Sequence, residues 1–436
     1  MRSSHVGRVL AVSALAMLPA FGTPPAQAVS PPGVDDKWLP KPTLPAPPRP
    51  TVQREVCAAL TVDSAPGRNQ PPGAFDLSDV WHLTRGAGQR IAVVDTGIAR
   101  HRRLPGVVPG GDYVSTGDGT QDCDAHGTLV AGIIAATADS KSDGFSGIAP
   151  EATLISIRQS SAKFAPASDR SRAGVGDVDT MAKAVRTAAD LGASVINISS
   201  VACVPVAAAL DDRALGAALA YAVDVKNAVV VAAAGNTGGG AQCPPQRPDA
   251  TWQTITVVVS PAWYDDYVLT VGSVNADGAP SAFSLAGPWV DVAAPGEAVT
   301  SLAPDPVSGT SYAAPVVSGL AALIRARFPA LTARQVMQRI ESTAHHPPAG
   351  WDPLVGNGTI DPLAAVSTGT GAPANAHKPP AAPPLAGSPA TIPPRDSRAR
   401  DTAVRGAAIC LAALAVALAA GAVRGRLRGT RDVAGD

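Results

Sequence analysis

The chain has 436 residues, 35 basic and 35 acidic side chains, and so a formal net charge of zero, without the excess of clustered cations that a nucleic-acid partner requires. With 46% hydrophobic and only 16% charged residues, general disorder is excluded as well. Its 42 glycines and 42 prolines nevertheless point to some low-complexity stretches.

Residues 1–28 have the three parts of a secretory signal: Arg2 and Arg8, the apolar run Val9–Leu18, and the small-residue cleavage site Ala26-Gln27-Ala28. Pro19, Pro24 and Pro25 end the run too abruptly for a buried helix. The mature chain is expected to begin near Val29, outside the cytoplasm. Residues 29–72 form a proline-rich extension, from Pro31 and Pro32 to Pro71 and Pro72. Such a stretch cannot donate regular ladder hydrogen bonds and is predicted to run extended.

From Phe75 onward, short apolar strands alternate with helices. The predicted strands are Arg90–Val94, Thr153–Ile157, Ala193–Ile198 and Ala228–Ala233. The predicted helices are Gly127–Thr137, Val178–Leu191, Leu210–Lys226 and an apolar one from Ser311 to Arg325. This alternation predicts an α/β fold over residues 73–367, a mostly parallel twisted sheet with helices on both faces. Ligands of such a sheet bind outside the carboxyl ends of its strands. Residues 368–405 read as a Pro/Ala-rich linker. Gly406–Val423 carries no charge, and its eighteen residues would span roughly 27 Å as a helix, against a bilayer core of about 30 Å. It is read as a single transmembrane helix. Residues 424–436, with Arg424, Arg426, Arg428 and Arg431, then form a cytoplasmic tail.

Cys57, Cys123, Cys203 and Cys243 all fall in the exported body. Their even number suits two disulfides in an oxidising compartment, and three pairings are open. No C-x-x-C pair supports a zinc site. Cys410 lies within the apolar span.

Three segments carry candidate chemistry. Val93-Val94-Asp95-Thr96-Gly97-Ile98 puts a carboxylate at the end of an apolar strand. His126-Gly127-Thr128-Leu129-Val130-Ala131-Gly132 puts a histidine at a helix start. Gly309-Thr310-Ser311-Tyr312-Ala313-Ala314-Pro315 puts a serine at the head of the next apolar helix. A fourth, Ala232-Ala233-Ala234-Gly235-Asn236, ends a strand on an amide. Singly, an Asp after a strand is a turn residue and a Ser before a helix is a cap. Jointly, the order Asp, His, Ser is that of the subtilisin-type triad, distinct from two other known orders.

With these flanks, residues 75–367 resemble the subtilase family of serine proteases. The resemblance implies that Ser311 is the nucleophile, His126 its base and Asp95 the residue that orients the imidazole. It also implies an oxyanion hole from the Asn236 amide and the Ser311 backbone N–H. Asn197, Ile198, Ser199, Ser200 and Val201 are expected to form the strand against which an extended peptide pairs, with Gly235 and Gly309 also at the substrate. No cofactor is expected. Subtilisins often bind calcium, but no Asp-rich loop of ligand spacing occurs, so no metal is expected either.

The forty-odd residues between the signal and Gly73 are too proline-rich to pack a core, so a separately folded pro-domain is not expected. The segment is expected to lie along the protease surface, pinned by Cys57. The signal, extension, linker and anchor, with Asp122-Cys123-Asp124-Ala125-His126-Gly127 and Ile196–Cys203, resemble the mycosins, membrane-anchored subtilases of type VII secretion systems. That resemblance implies disulfides Cys57–Cys123 and Cys203–Cys243, exported proteins as substrates and the inner-membrane secretion complex as partner. The leading expectation is an extracytoplasmic endopeptidase; the alternative is mainly an assembly component whose proteolysis is dispensable. The polar loop between Gln159 and Asp179 carries no motif and receives no role.

Overall fold

The structure is a computed structural model that describes residues 29–61, 63–66, 75–139, 143–169, 174–208, 210–238 and 243–367. All of these belong to the compact unit Met1–Pro384, and none to the unit Leu385–Asp436. The expected signal at 1–28 and anchor at 406–423 lie outside the described residues. Among the described residues no helix is long and apolar enough to cross a membrane.

In chain order the elements are β1 (Thr51–Gln53), α1 (Ser78–Leu83), β2 (Arg90–Asp95), β3 (Val108–Asp112), α2 (His126–Ala135), β4 (Thr153–Arg158), β5 (Phe164–Pro166) and α3 (Val178–Asp190). There follow β6 (Val195–Ile198), β7 (Ala202–Pro205), α4 (Arg213–Ala220), β8 (Val229–Ala233), β9 (Val257–Ser260), β10 (Leu269–Val274), β11 (Val292–Pro295), α5 (Thr310–Arg327), α6 (Ala333–Thr343) and α7 (Pro362–Val366).

Seven strands make one sheet in the order β11-β10-β8-β6-β2-β4-β3, with every pairing parallel. The central strands β2, β6 and β8 are apolar and buried almost without alternation, as strands covered on both faces must be. From β2 the chain moves one way, to β3 and β4; from β6 it moves the other, to β8, β10 and β11. The reversal opens a crevice at the carboxyl ends of β2 and β6, the usual ligand position in an open α/β sheet. This is the subtilisin-like α/β architecture.

Helix α5 is buried on nearly every side from Thr310 to Ile324, because it packs across β6, β8, β10 and β11 and against α2. A helix apolar all round belongs in a core. The expected helix Leu210–Lys226 is shorter and composite: α4 starts at Arg213 and passes into a π turn, Tyr221–Val225. Asp212, just ahead of α4, accepts hydrogen bonds from Ser260 Oγ (2.5 Å), Trp263 Nε1 (2.8 Å) and Tyr264 Oη (2.8 Å). These donors fix where that helix begins.

The proline-rich extension also departs from expectation. It packs on the body as expected, but Thr51–Gln53, between Pro50 and Arg54, forms β1 and pairs antiparallel with β5. Three consecutive residues without proline suffice for a short ladder. Its partner β5 comes from the motif-free loop after Gln159, which thereby gains a structural role.

Candidate functional site

Asp95 ends β2, His126 opens α2 and Ser311 is the second residue of α5. The loops after β2 and before α2 touch backbone to backbone. A side chain on Gly97 would strike the Gln121 carbonyl, and one on Gly127 would strike that of Gly97. This close approach brings His126 Nδ1 to 2.7 Å from Asp95 Oδ1 and His126 Nε2 to 3.0 Å from Ser311 Oγ. Because the fully buried carboxylate only accepts, Nδ1 carries the proton and Nε2 is left to accept from the serine hydroxyl. Asp95 Oδ1 accepts a second hydrogen bond from Thr96 N–H at 2.7 Å.

Desolvation of the His126 ring opposes its cation. The charge and hydrogen bond of Asp95, with Asp122 and Asp124 behind it, outweigh that, so its basicity lies above the ordinary 6.5. Tyr312 stands beside the ring, centroids 5.2 Å apart.

Asn236 lies just past β8. Its Oδ1 accepts from Thr310 N and Thr310 Oγ1, both at 2.9 Å. A backbone N–H can only donate, which fixes the amide's orientation and turns Nδ2 away from Thr310. Gly309, at φ 153°, runs between Nδ2 and the serine: a Cβ there would sit 3.3 Å from Nδ2 and 3.1 Å from Ser311 Oγ. The Ser311 N–H belongs to the first turn of α5, whose amides have no intrahelical acceptor. Two donors therefore flank the space beside Ser311 Oγ, where an oxyanion would form.

A cleft of about 930 Å³ opens on this group. Segments 174–177 and 199–202 line it, together with Met181, Leu215 and Ala233. Ser199, Ser200, Val201 and Gly235 line it. Asn197 and Ile198 do not. Both are fully buried in β6, which pairs with β2 on one side and β8 on the other and has no free edge for a peptide. Asn197 instead ties the sheet to α5, donating to Ser199 Oγ and accepting from Ser318 Oγ, each at 2.9 Å.

Sequence reasoning missed the other flank, Gly174-Val175-Gly176, which exchanges two backbone hydrogen bonds with Ser161. Its only signal was a pair of glycines in a polar loop. It also missed Asp122, which accepts hydrogen bonds from Thr96 Oγ1 and from the backbone on both sides of His126.

The structure forms the disulfides Cys57–Cys123 and Cys203–Cys243. The first fastens the extension three residues before His126. Beside it Ala58 N–H donates to the Cys123 carbonyl (2.9 Å), and Glu55 pairs with Lys163 (2.6 Å) at the cleft rim. The second packs against the backbone at Gly235, where a Cβ would lie 2.9 Å from Cys243 Sγ. Among the described residues no group of three or more His, Cys, Asp or Glu is placed to hold a metal ion.

The family described as the Subtilase family, Peptidase_S8, matches residues 86–358. Mycosin-4 of Mycobacterium tuberculosis (strain ATCC 25618 / H37Rv) is 74% identical over 386 residues, which cover 84% of this chain and 85% of that protein. The solved structure of the MycP3 protease from the type VII (ESX-3) secretion system is similar at a TM-score of 0.71 and 44% identity, over 78% of this chain and all of that one. A chain of the intact ESX-5 inner membrane complex is similar at 0.70 and 39% identity, over 92% of this chain and all of that one. The chain belongs to the subtilase family of serine endopeptidases and, within it, to the mycosins.

Proposed function

We propose that this mycosin is a membrane-anchored, extracytoplasmic endopeptidase of a type VII secretion system that cleaves exported proteins through an acyl-enzyme on Ser311. The observation that carries this reading is the continuous hydrogen-bond chain Asp95–His126–Ser311 at the mouth of the cleft. His126 removes the hydroxyl proton as Ser311 Oγ attacks the peptide carbonyl, and returns it to the leaving amine. Asp95 holds the ring in the required tautomer and stabilises its cation. Asn236 Nδ2 and the Ser311 N–H stabilise the oxyanion. Ser199–Val201 and Gly174–Gly176 would receive the substrate as an extended strand between them. The uncharged apolar stretch at 406–423 and the similarity to a chain of the ESX-5 inner membrane complex support the location.

The test is labelling of the detergent-solubilised full chain with a fluorophosphonate probe. Wild type is expected to label and Ser311→Ala is not. Equal labelling of the two would refute Ser311 as nucleophile, and no labelling of wild type would refute an active free enzyme. The similarity to an assembled complex also favours a second reading, an assembly role. Full rescue of secretion in a null strain by Ser311→Ala would make that role dominant.

A further inference from the structure

Helix α2 begins in an unusual way. The residue at its cap position, Ala125, has no side-chain acceptor and stands at φ 66°, in the left-handed region that disfavours any residue with a Cβ. A helix start normally needs a side-chain oxygen at that position to take a first-turn N–H. Here the oxygen comes from Asp122, three residues earlier. Its Oδ2 accepts from Thr128 N at 2.9 Å and from Thr128 Oγ1 at 2.6 Å. Its Oδ1 accepts from Ala125 N at 2.9 Å, Asp124 N at 3.1 Å and Thr96 Oγ1 at 2.8 Å. The same Thr96 hydroxyl oxygen accepts from Gly127 N–H at 2.9 Å. One carboxylate thus grips the residue after Asp95 and both sides of His126.

We infer that Asp122 is a positioning residue for the proton transfer: it caps α2 from outside the cap position and sets the His126 ring against Asp95 and Ser311. The inference rests on the reading of His126 as the base. Five donors use the acceptor capacity of a carboxylate fully, so no neutral side chain of this size replaces it. An amide would turn an NH₂ group toward either the Thr128 N–H or the Ala125 N–H, donor against donor. Holding a charge here has a cost. Burial pushes the Asp122 carboxyl up to about 6 against the pull of its donors, with Asp95 adding repulsion. The titratable groups that share its field are Asp95, His126 and Tyr312. Asp124 contributes its backbone N–H and turns its own carboxylate to Ser161 Oγ (2.5 Å) and Ala162 N (2.8 Å).

The experiment uses the full chain in detergent, a fluorophosphonate probe, and the variants Asp122→Asn and Thr96→Val. For each, the maximal labelling rate, the half-saturating probe concentration and the pH dependence of labelling are measured, with a thermal melt as a check on folding. Displacing the base by a fraction of an ångström to an ångström should lower the maximal rate roughly 10–100-fold in both variants. Half-saturation should stay within about two-fold, because the loss falls on the chemical step. Asp122→Asn should also move the acid limb to lower pH, since a negative charge near His126 is gone, whereas Thr96→Val should leave the limb in place. Wild-type rates in both folded variants would overturn the inference, as would an unmoved acid limb in Asp122→Asn. Failure of both variants to fold would overturn it too, since the carboxylate would then hold the domain and not the histidine. Failure of wild type to label would instead remove the functional reading beneath it.

Discussion

At the scale of residues, the proposed mechanism makes activity depend on the protonation of His126. Only the neutral ring accepts the serine proton. Because the neighbouring carboxylates raise its basicity above 6.5, activity is expected to be full well above that pH. It should fall as pH drops through a midpoint higher than an ordinary histidine's. A pH–rate profile of labelling with its acid midpoint below 6.5 would contradict this. In the proposed mechanism Asn236 Nδ2 stabilises the oxyanion while its Oδ1 holds Thr310, so Asn236→Ala is expected to lower kcat with KM little changed. Losing the corresponding amide of subtilisin costs about 10²–10³ in kcat, and steady-state kinetics on a peptide substrate would show whether that holds here. The grouping of Asp95, His126, Asn236 and Ser311 was legible in the sequence because Asp95 and Asn236 close apolar strand runs while His126 and Ser311 open apolar helices. Asn197 and Ile198 misled because β6 continues into the cleft flank: the same run is core to Ile198 and cleft from Ser199. Asp122 was in view inside a recognised motif, but the hydrogen bonds that define its role come from residues up to 26 positions away.

At the scale of elements, the strands that could be read were the continuously apolar ones, β2, β4, β6 and β8. Strand β3 could not be. Its sequence Val-Pro-Gly-Gly-Asp has no apolar run, and it exists because Gly110 lies flat on β4, where a Cβ would come within 2.8 Å of Ile155 and Ile157. Helix α5 could be read from its composition but not from periodicity, since it has no exposed face until Arg325. Its packing yields a test. A Cβ on Gly319 would lie 2.5 Å from Ile148 Cβ and 2.8 Å from its Cγ2. Ile148 is buried and held by its N–H to the Ile133 carbonyl at 3.0 Å. Gly319→Ala gains about 1 kcal/mol of helix propensity but overpacks by about 1–3 kcal/mol. A net loss of between zero and about 2 kcal/mol is expected, and a denaturant midpoint above that of wild type would contradict it.

At the scale of the whole molecule, the proline-rich extension is part of the domain. Val29 N–H donates to the Trp252 carbonyl at 2.8 Å. The Trp38 ring carries the Arg213 guanidinium at 3.9 Å, and Arg186 Nη1 donates to the Pro40 carbonyl at 3.2 Å. Then come the β1–β5 ladder and the first disulfide. The sequence showed that this segment could not fold alone, but not where it would dock, because its partner strand lies in a loop without hydrophobic pattern. Replacing Cys57 and Cys123 by serine is expected to lower stability by about 2–5 kcal/mol. Denaturation of the double variant with an unchanged midpoint would show that the ladder alone holds the extension.

The Cys57–Cys123 bridge also makes the intervening chain a closed covalent ring, with a sequence separation of 66. Any cut within that ring, by this enzyme or another, opens it without freeing a fragment. Nicked and intact molecules would co-migrate on a non-reducing gel and come apart only after thiol treatment. A maturation event there would create a new N-terminus while Glu55 stayed at the rim of the cleft. Reducing and non-reducing gels of one sample, with N-terminal sequencing of each band, would tell a nicked enzyme from a trimmed one.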